Sequence, residues 1–131
     1  MTESPTDSHK VSREVFRMIR ESNFAGKWKV IEAMDMVDDY LSLTPNPHLK
    51  IEVSGKNEVT GSYLFGVQDG SIDGQFEQDK ESQRLLFSFE GSDEGDEVSG
   101  FGTASFESTD TLLLRMHYHM GDTYSFRCTR M

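Results

Sequence analysis

The chain has very little cysteine, with Cys128 as its single thiol in 131 residues. One cysteine cannot form an intramolecular disulfide, and its position in an alternating segment predicts a small buried apolar side chain rather than a nucleophile. No apolar run approaches the roughly 20 residues that a membrane-spanning helix needs, and the polar start at residues 1–5 lacks the apolar stretch of a secretory signal. We therefore expect a cytoplasmic protein with no membrane span.

Basic residues are also scarce, with 13 Lys and Arg against 23 Asp and Glu, which gives a formal net charge of −10. Residues 1–30 hold six basic and four acidic side chains, so the rest of the chain carries −12. Such an acidic body repels the phosphates of nucleic acids, and we expect no nucleic-acid partner. The acidic charge itself is typical of a soluble small domain.

Sequence signatures of common enzymes are absent as well. No G-x-S-x-G elbow is present, and the glycine-rich stretches at 61–66 and 70–74 do not open a helix as a phosphate-binding loop does. Glycine within strands more often marks a bulge or a barrel corner. The residues name no reaction and imply no cofactor, which favours a non-enzymatic protein and leaves an enzyme open only through a pocket that the sequence does not reveal.

The length fits one domain over residues 1–131. Residues 1–6 are predicted to be a disordered tail, and residues 8–21 an amphipathic α-helix with an apolar stripe. From about residue 24 the apolar period changes to two, which predicts strands. The predicted strands are 26–34, 37–43, 48–54, 58–67, 71–78, 84–91, 98–107, 111–120 and 123–130, where 37–43 is alternatively irregular or a helical turn.

The last hairpin can be predicted in more detail. A three-residue loop at 121–123 pairs Met120 with Tyr124 and Tyr118 with Phe126, which keeps one continuous apolar face. On that register the outward row of the strand before the loop lies opposite Arg127. That row contains Arg115, His117 and His119.

His117-x-His119 is the feature most similar to a metal site, because residues two apart in a strand project side by side and imidazole is a common zinc ligand. A third ligand would have to come from Asp122 or from the acidic loop 92–97. The alternative is a pair of solvent-exposed histidines in a polar row. The same loop has oxygen donors for calcium, but it lacks the EF-hand spacing, and its composition is sufficient for a turn.

Phe24-Ala25-Gly26-Lys27-Trp28-Lys29-Val30 resembles the opening motif of the calycin superfamily, especially the fatty-acid-binding proteins, while lipocalins and avidins share Gly-x-Trp. Asp38-Asp39-Tyr40 and Cys128-Thr129-Arg130 are similar to later segments of the fatty-acid-binding family. In that family's closing strand an arginine, with a tyrosine two positions later, holds the ligand carboxylate, so the resemblance implies such a role for Arg130. The sequence stops at Met131, before the tyrosine position. The stretch 61–127 resembles small bacterial proteins with a Gly-, Asp- and Glu-rich meander, which implies no activity.

Together these observations predict a mainly β fold, a single antiparallel up-and-down meander at 24–131 closing into a calycin-like barrel of eight or nine strands. The indole of Trp28 is expected to close the floor, covered by Arg130, or by Arg127 only if a bulge resets the register. An eight-stranded barrel is either filled by its own side chains or holds one small ligand. The inward rows are predicted to carry ten aromatic residues: Trp28, Tyr63, Phe65, Phe76, Phe87, Phe89, Phe106, Tyr118, Tyr124 and Phe126.

Three functions remain open at this point. The first is binding of a small apolar ligand inside the barrel, as the resemblance implies, with Tyr63, Phe65, Tyr118, Tyr124 and Arg130 as the candidate ligand-binding residues. The second is a protein-interaction or structural module with a filled barrel and a protein partner. The third is a metal-assisted enzyme that uses His117 and His119.

Overall fold

The structure is a computed structural model and describes residues 20–36, 38–79 and 82–131. Eight antiparallel strands follow one another in sequence order, and the last pairs with the first, so the sheet closes into a barrel. The strands are β1 Gly26–Ala33, β2 His48–Ser54, β3 Glu58–Phe65, β4 Gln68–Asp79, β5 Ser82–Asp93, β6 Asp96–Ser108, β7 Thr111–Tyr118 and β8 Thr123–Arg130. The predicted meander and barrel are therefore confirmed, with eight strands.

Alternation of apolar and polar residues places the core inside the barrel. Eight of the ten predicted inward aromatic residues are buried, and Tyr118 and Tyr124 are partly buried against them. Cys128 is buried with them, as predicted, and burial raises the pKa of its thiol to about 12. A barrel of eight strands is just wide enough for side chains to fill, and here aromatic rings fill most of it.

Inward-facing glycines make room for these rings. A Cβ atom at Gly102 would lie 2.6 Å from the Phe87 ring, and one at Gly100 would lie 2.8 Å from the Phe89 ring. Each ring lies over the glycine directly opposite it on the neighbouring strand. Because these glycines have no side chain, the strands can curve there, and the large ring on the neighbouring strand fills the space.

Two short 3-10 helices close the barrel ends. The floor turn, Glu21–Phe24, inserts Phe24, whose ring lies 4.7 Å from that of Phe106 and 5.1 Å from that of Phe76. The mouth turn, Asp38–Leu43, belongs to the connection between β1 and β2 and buries Leu41 at the other end. We call these two ends the floor and the mouth.

The prediction that Arg130 covers Trp28 is confirmed. The guanidinium carbon lies 4.2 Å from the centroid of the indole, and the two residues are directly paired between β1 and β8. Trp28 Nε1 donates a hydrogen bond to the Phe24 carbonyl, and an Arg130 guanidinium nitrogen donates to the Asn23 carbonyl. The opening motif and the closing strand thus hold the floor turn in place.

Arg127 faces outward on β8 and stabilises the seam, the place where β8 pairs with β1 and the barrel closes. It forms two hydrogen bonds with the carboxylate of Glu107 on β6, at 2.7 and 3.1 Å, and an ion pair with Glu32 on β1. The hydrogen bonds from Arg127 lower the pKa of Glu107. A β-bulge between Val30 and Glu32 shifts the register at this seam.

The described part of the predicted strand 37–43, Asp38–Leu43, is not a strand, and the nine-stranded alternative is therefore wrong. This part is the mouth turn, in which the adjacent residues Tyr40 and Leu41 both contact the core. A strand would send neighbouring side chains to opposite faces, whereas a tight helical turn brings both against the barrel mouth.

The predicted register of the last hairpin is also wrong, although its continuous apolar face is confirmed. Met116 pairs with Tyr124 and Leu114 with Phe126, so Arg127 lies opposite Leu113 instead of the histidine row. The backbone N–H of His119 donates to the Ser99 carbonyl on β6, which keeps the end of β7 on that strand and leaves residues 119–122 as the loop. The observed and predicted registers differ by four residues, so both send the same side chains inward.

Most of the predicted N-terminal helix, 8–21, and the predicted tail, 1–6, lie outside the described residues. Within the described part, Arg20 has an extended backbone and Glu21 begins the floor turn. In the described part of the chain, no helix has the length and apolar composition needed to cross a bilayer.

Candidate functional site

A buried glutamine lies at the barrel mouth. Gln68 is the first residue of β4 and is only 4% exposed, on the inward face with Ile72 and Phe76. Its Nε2 donates to Tyr40 Oη at 2.8 Å, and its Oε1 accepts a hydrogen bond from Tyr118 Oη at 2.6 Å. Both ends of the amide are thus satisfied, and Gln68 joins the mouth turn to β7.

Tyr63 on β3 lies beside this group. Its ring covers two bare glycines, since a Cβ atom at Gly70 or Gly91 would lie 2.5 or 2.7 Å from its hydroxyl oxygen. Tyr63 is 2% exposed, and its hydroxyl makes no hydrogen bond within the described residues. Leaving a buried hydroxyl without a partner costs roughly 1–3 kcal/mol, so this group is available to bond with a polar atom that reaches it.

Aromatic rings surround the two polar positions. Phe65 stacks on Tyr63 with a centroid distance of 5.2 Å, and Phe89 contacts both Tyr63 and Tyr118 edge-on. The Tyr118 and Tyr124 rings are 5.8 Å apart. Four of the five predicted ligand-binding residues therefore belong to one cluster at the mouth.

The fifth predicted residue, Arg130, lies at the floor over Trp28. Its guanidinium also holds the Asn23 carbonyl. The structure thus places this arginine at the end of the barrel opposite the tyrosine cluster.

The tyrosine hydroxyls of the cluster are neutral at physiological pH. Burial, followed by the nearby carboxylates of Asp69 and Asp93, raises the pKa of Tyr63 to about 12. Burial also raises the pKa of Tyr118 and that of Tyr40, in both cases against the opposing effect of the hydrogen bond with Gln68. The cluster therefore presents uncharged hydrogen-bonding groups within an apolar lining.

We define the mouth cluster as the five residues Tyr40, Tyr63, Gln68, Tyr118 and Tyr124, together with the rings of Phe65 and Phe89. The predicted strands 58–67 and 71–78 leave Gln68 in the connection between them, and the predicted site does not include Gln68 or Tyr40. A signal existed for Gln68, because it has the same parity as Ile72 and Phe76. Its partners lie 28 and 50 positions away, and no local pattern points to them.

The histidines predicted as metal candidates lie on the outside of the barrel. His117 bonds to Thr123 through Nδ1 and packs against the exposed ring of Phe101, with the ring centroids 4.9 Å apart. His119 is exposed in the loop after β7. Among the residues that the structure describes, no three His, Cys, Asp or Glu side chains come together as metal ligands.

The acidic loop 92–97 forms the hairpin between β5 and β6. Glu94 and Gly95 both have positive φ, and the Gly95 N–H donates to the Ser92 hydroxyl. A two-residue turn with both φ values positive matches the twist of the flanking strands. An acidic hollow of about 650 Å³ on the outer face of β4 to β6 continues from this hairpin. Its outward side chains include Asp69, Ser71, Glu90, Ser92, Glu97 and Ser99.

Comparisons with known proteins leave the family open. The chain matches no protein-family model, and no curated protein is significantly similar to it. The closed antiparallel barrel of eight strands is the architecture that the calycin resemblance implied. The mouth cluster must therefore be interpreted from its own geometry.

Proposed function

We propose that this protein binds a small, mainly apolar molecule at the barrel mouth. The observation that carries the proposal is the buried Tyr63 hydroxyl, which has no hydrogen-bond partner among the described residues and lies in an aromatic lining. Small-molecule sites typically combine an apolar lining with a few convergent polar groups that orient the ligand. The mouth cluster has this composition, and the barrels that the chain resembles hold small ligands in the same way.

The filled interior limits where such a ligand binds. The floor half is packed with Trp28, Phe24 and Phe106, which contact one another directly. At the mouth, by contrast, two of the side chains that complete the packing, Tyr40 and Leu41, come from a short connection and not from the sheet. In this proposal the ligand takes the volume of these two side chains and bonds to the Tyr63 hydroxyl.

A calorimetric titration with 1-octanol tests the proposal, because this probe has an apolar chain and one hydroxyl. We expect saturable binding, and about fivefold weaker binding to Tyr63→Phe, since one hydrogen bond is worth roughly 1 kcal/mol. Thr60→Val is the matched control, because it removes an outward hydroxyl from the same strand, and it should bind as the unmodified protein does. Equal affinity for Tyr63→Phe, or no binding at all, would contradict the proposal.

A second candidate function is an interaction surface on the outside of the barrel. Phe101 lies in the middle of β6 with 62% of its surface exposed, which is unusual for a large apolar side chain on an outward row. It borders a hollow of about 310 Å³ whose lining includes Arg84, Arg115 and His117. Basic groups around an exposed ring on an acidic protein favour an acidic protein segment as the partner.

Fluorescence anisotropy with a labelled peptide of alternating Glu and Phe tests this second candidate. Binding should be lost in Phe101→Ser and weakened in Arg115→Ser at low salt. Glu52→Gln, an outward substitution on β2, serves as the control. Binding that survives Phe101→Ser would exclude this surface.

A further inference from the structure

The two ends of the barrel differ in charge. The connections at the mouth are 34–47, 66–67, 94–95 and 119–122, and their sequence contains no lysine or arginine. Their described carboxylates are Asp35, Asp39, Glu94 and Asp122. At the floor, the described connections 55–57 and 109–110 carry one charge of each sign, Lys56 and Asp110. The field at the mouth is therefore negative and favours the approach of cations.

One carboxylate belongs to a residue paired with the mouth cluster in the sheet. Asp93 ends β5 directly opposite Gln68, on the same inward-facing row as Phe87 and Phe89. Burial is the main cause of the raised pKa of Tyr40, Tyr63 and Tyr118, and the negative charge of Asp93 adds to it in each case. A ligand carboxylate at this position would meet a like charge, whereas an ammonium group would be stabilised.

The aromatic rings of the cluster also suit a cation. Successive rings meet nearly edge to face, at 88° for Tyr63 and Phe89, 71° for Phe89 and Tyr118, and 72° for Tyr118 and Tyr124. Each ring therefore presents its edge or its face to its neighbour, and the rings differ in orientation. Cations bind to the electron-rich faces of aromatic rings, which is how aromatic cages recognise organic ammonium groups.

No arginine or lysine of the described residues is available to hold an anionic ligand at this end. The arginine on the inward row of β8 is Arg130, which lies over Trp28 at the floor. The inward positions nearer the mouth on the same strand are Cys128, Phe126 and Tyr124. The role of a carboxylate-binding arginine, which the family resemblance implied, therefore has no counterpart at the mouth.

We propose that the ligand of the mouth cluster is an organic cation, an apolar molecule that carries an amine or ammonium group. This inference rests on the proposed function, because it names the chemical class of the ligand for the same site. The ammonium group lies among the faces of Tyr63, Phe89 and Tyr118 and near the carboxylate of Asp93. The apolar part takes the volume of Tyr40 and Leu41.

Three probes that differ only in their polar group test this inference: octylammonium, 1-octanol and octanoate, compared at neutral pH by calorimetry. We expect octylammonium to bind at least about tenfold more tightly than octanoate, with 1-octanol between them. Raising the ionic strength to about 0.5 M should weaken binding of octylammonium and leave that of 1-octanol unchanged. Tightest binding of octanoate would overturn the inference and leave the proposed function intact. A lack of binding by all three probes would overturn the proposed function.

Two variants on β5 establish which carboxylate matters. Asp93→Asn removes an inward charge beside Gln68, and Glu90→Gln removes an outward charge in the acidic hollow. We expect Asp93→Asn to reduce the preference for octylammonium over 1-octanol severalfold, while Glu90→Gln leaves it unchanged. The opposite pattern would place the cation on the outer face and overturn the inference.

Discussion

Tyr118 Oη donates a hydrogen bond of 2.6 Å to Gln68 Oε1 across the inside of the barrel. The two residues lie on β7 and β4, strands that are not neighbours in the sheet. Such a bond ties opposite walls together at the mouth. A buried polar link of this kind is favourable only while each of its groups stays satisfied.

We therefore predict a non-additive effect of substitutions at this link. Gln68→Met leaves the Tyr118 hydroxyl buried without its acceptor and should lower the free energy of unfolding by about 1–3 kcal/mol. Tyr118→Phe added to Gln68→Met should cost little more, because that hydroxyl is then gone. Urea unfolding of both single variants and the double variant measures the coupling. Gln75→Met, on the exposed face of β4, is the control and should change stability by less than about 0.5 kcal/mol. Strictly additive effects would contradict a direct link.

A substitution at Gly66 tests how closely the mouth turn packs against the barrel. It has φ of 59°, and a Cβ atom there would overlap the Tyr40 ring. Gly55 has nearly the same φ, 62°, but its Cβ would meet only the flexible end of Glu58. Both alanine variants carry the strain of a left-handed backbone, roughly 1–2 kcal/mol. Any further loss of unfolding free energy in Gly66→Ala relative to Gly55→Ala therefore measures the contact with Tyr40.

The same pair of variants tests whether ligand binding displaces the mouth turn. Destabilising the packed position of Tyr40 lowers the cost of opening, so Gly66→Ala should bind octylammonium more tightly than Gly55→Ala does. Titration of both variants measures the difference. Equal affinities would mean that Tyr40 keeps its place when the ligand binds.

The tyrosines of the mouth cluster predict a loss of stability in alkali. The pKa of Tyr63 is about 12 in the folded protein against 10 in the unfolded chain, so its contribution is fully present below pH 10. The contribution is lost between about pH 10 and 12, at up to about 1.4 kcal/mol per pH unit for each such tyrosine. Urea unfolding at a series of pH values, followed with phenolate absorbance, measures this. Tyrosines that ionise near pH 10 without a loss of stability would contradict the burial of the hydroxyls.

The contact between Arg130 and Trp28 predicts a different response at the floor. Arg130→Ala removes the cation from the indole face and the bond to the Asn23 carbonyl, and it should cost about 1–2 kcal/mol. It should also alter the fluorescence of Trp28, the single tryptophan. Arg115→Ala, on the exposed face of β7, is the control. Because the floor lies away from the mouth, binding of octylammonium to Arg130→Ala should be unchanged.

Much of the fold could be predicted from local patterns. The alternation of apolar and polar residues located all eight strands, since each has one buried and one exposed face. The inward parity of Arg130 on the last strand was enough to predict that it covers Trp28. Parity could not determine the register of the last hairpin, because a shift of four residues keeps every side chain on its face. Met120 in that loop has φ of 57°. When a residue other than glycine adopts this conformation, nothing in the sequence indicates it.

The candidate site was harder to predict than the barrel. Tyr63, Phe65, Tyr118 and Tyr124 could be found because aromatic residues on inward rows are expected to meet. Gln68 shares the parity of Ile72 and Phe76, but this signal is outweighed because a polar residue beside Asp69 and Gly70 is typical of a turn. Its burial depends on two tyrosines that only the closed barrel and the mouth turn bring to it.

The most direct measurement is an NMR experiment that records nuclear Overhauser effects between octylammonium and the aromatic protons of the protein. The account predicts contacts from the probe to the rings of Tyr63, Phe89 and Tyr118, together with shifted signals of Tyr40. Contacts confined to Phe101 and His117 on the outer face, or none to the mouth cluster, would contradict it.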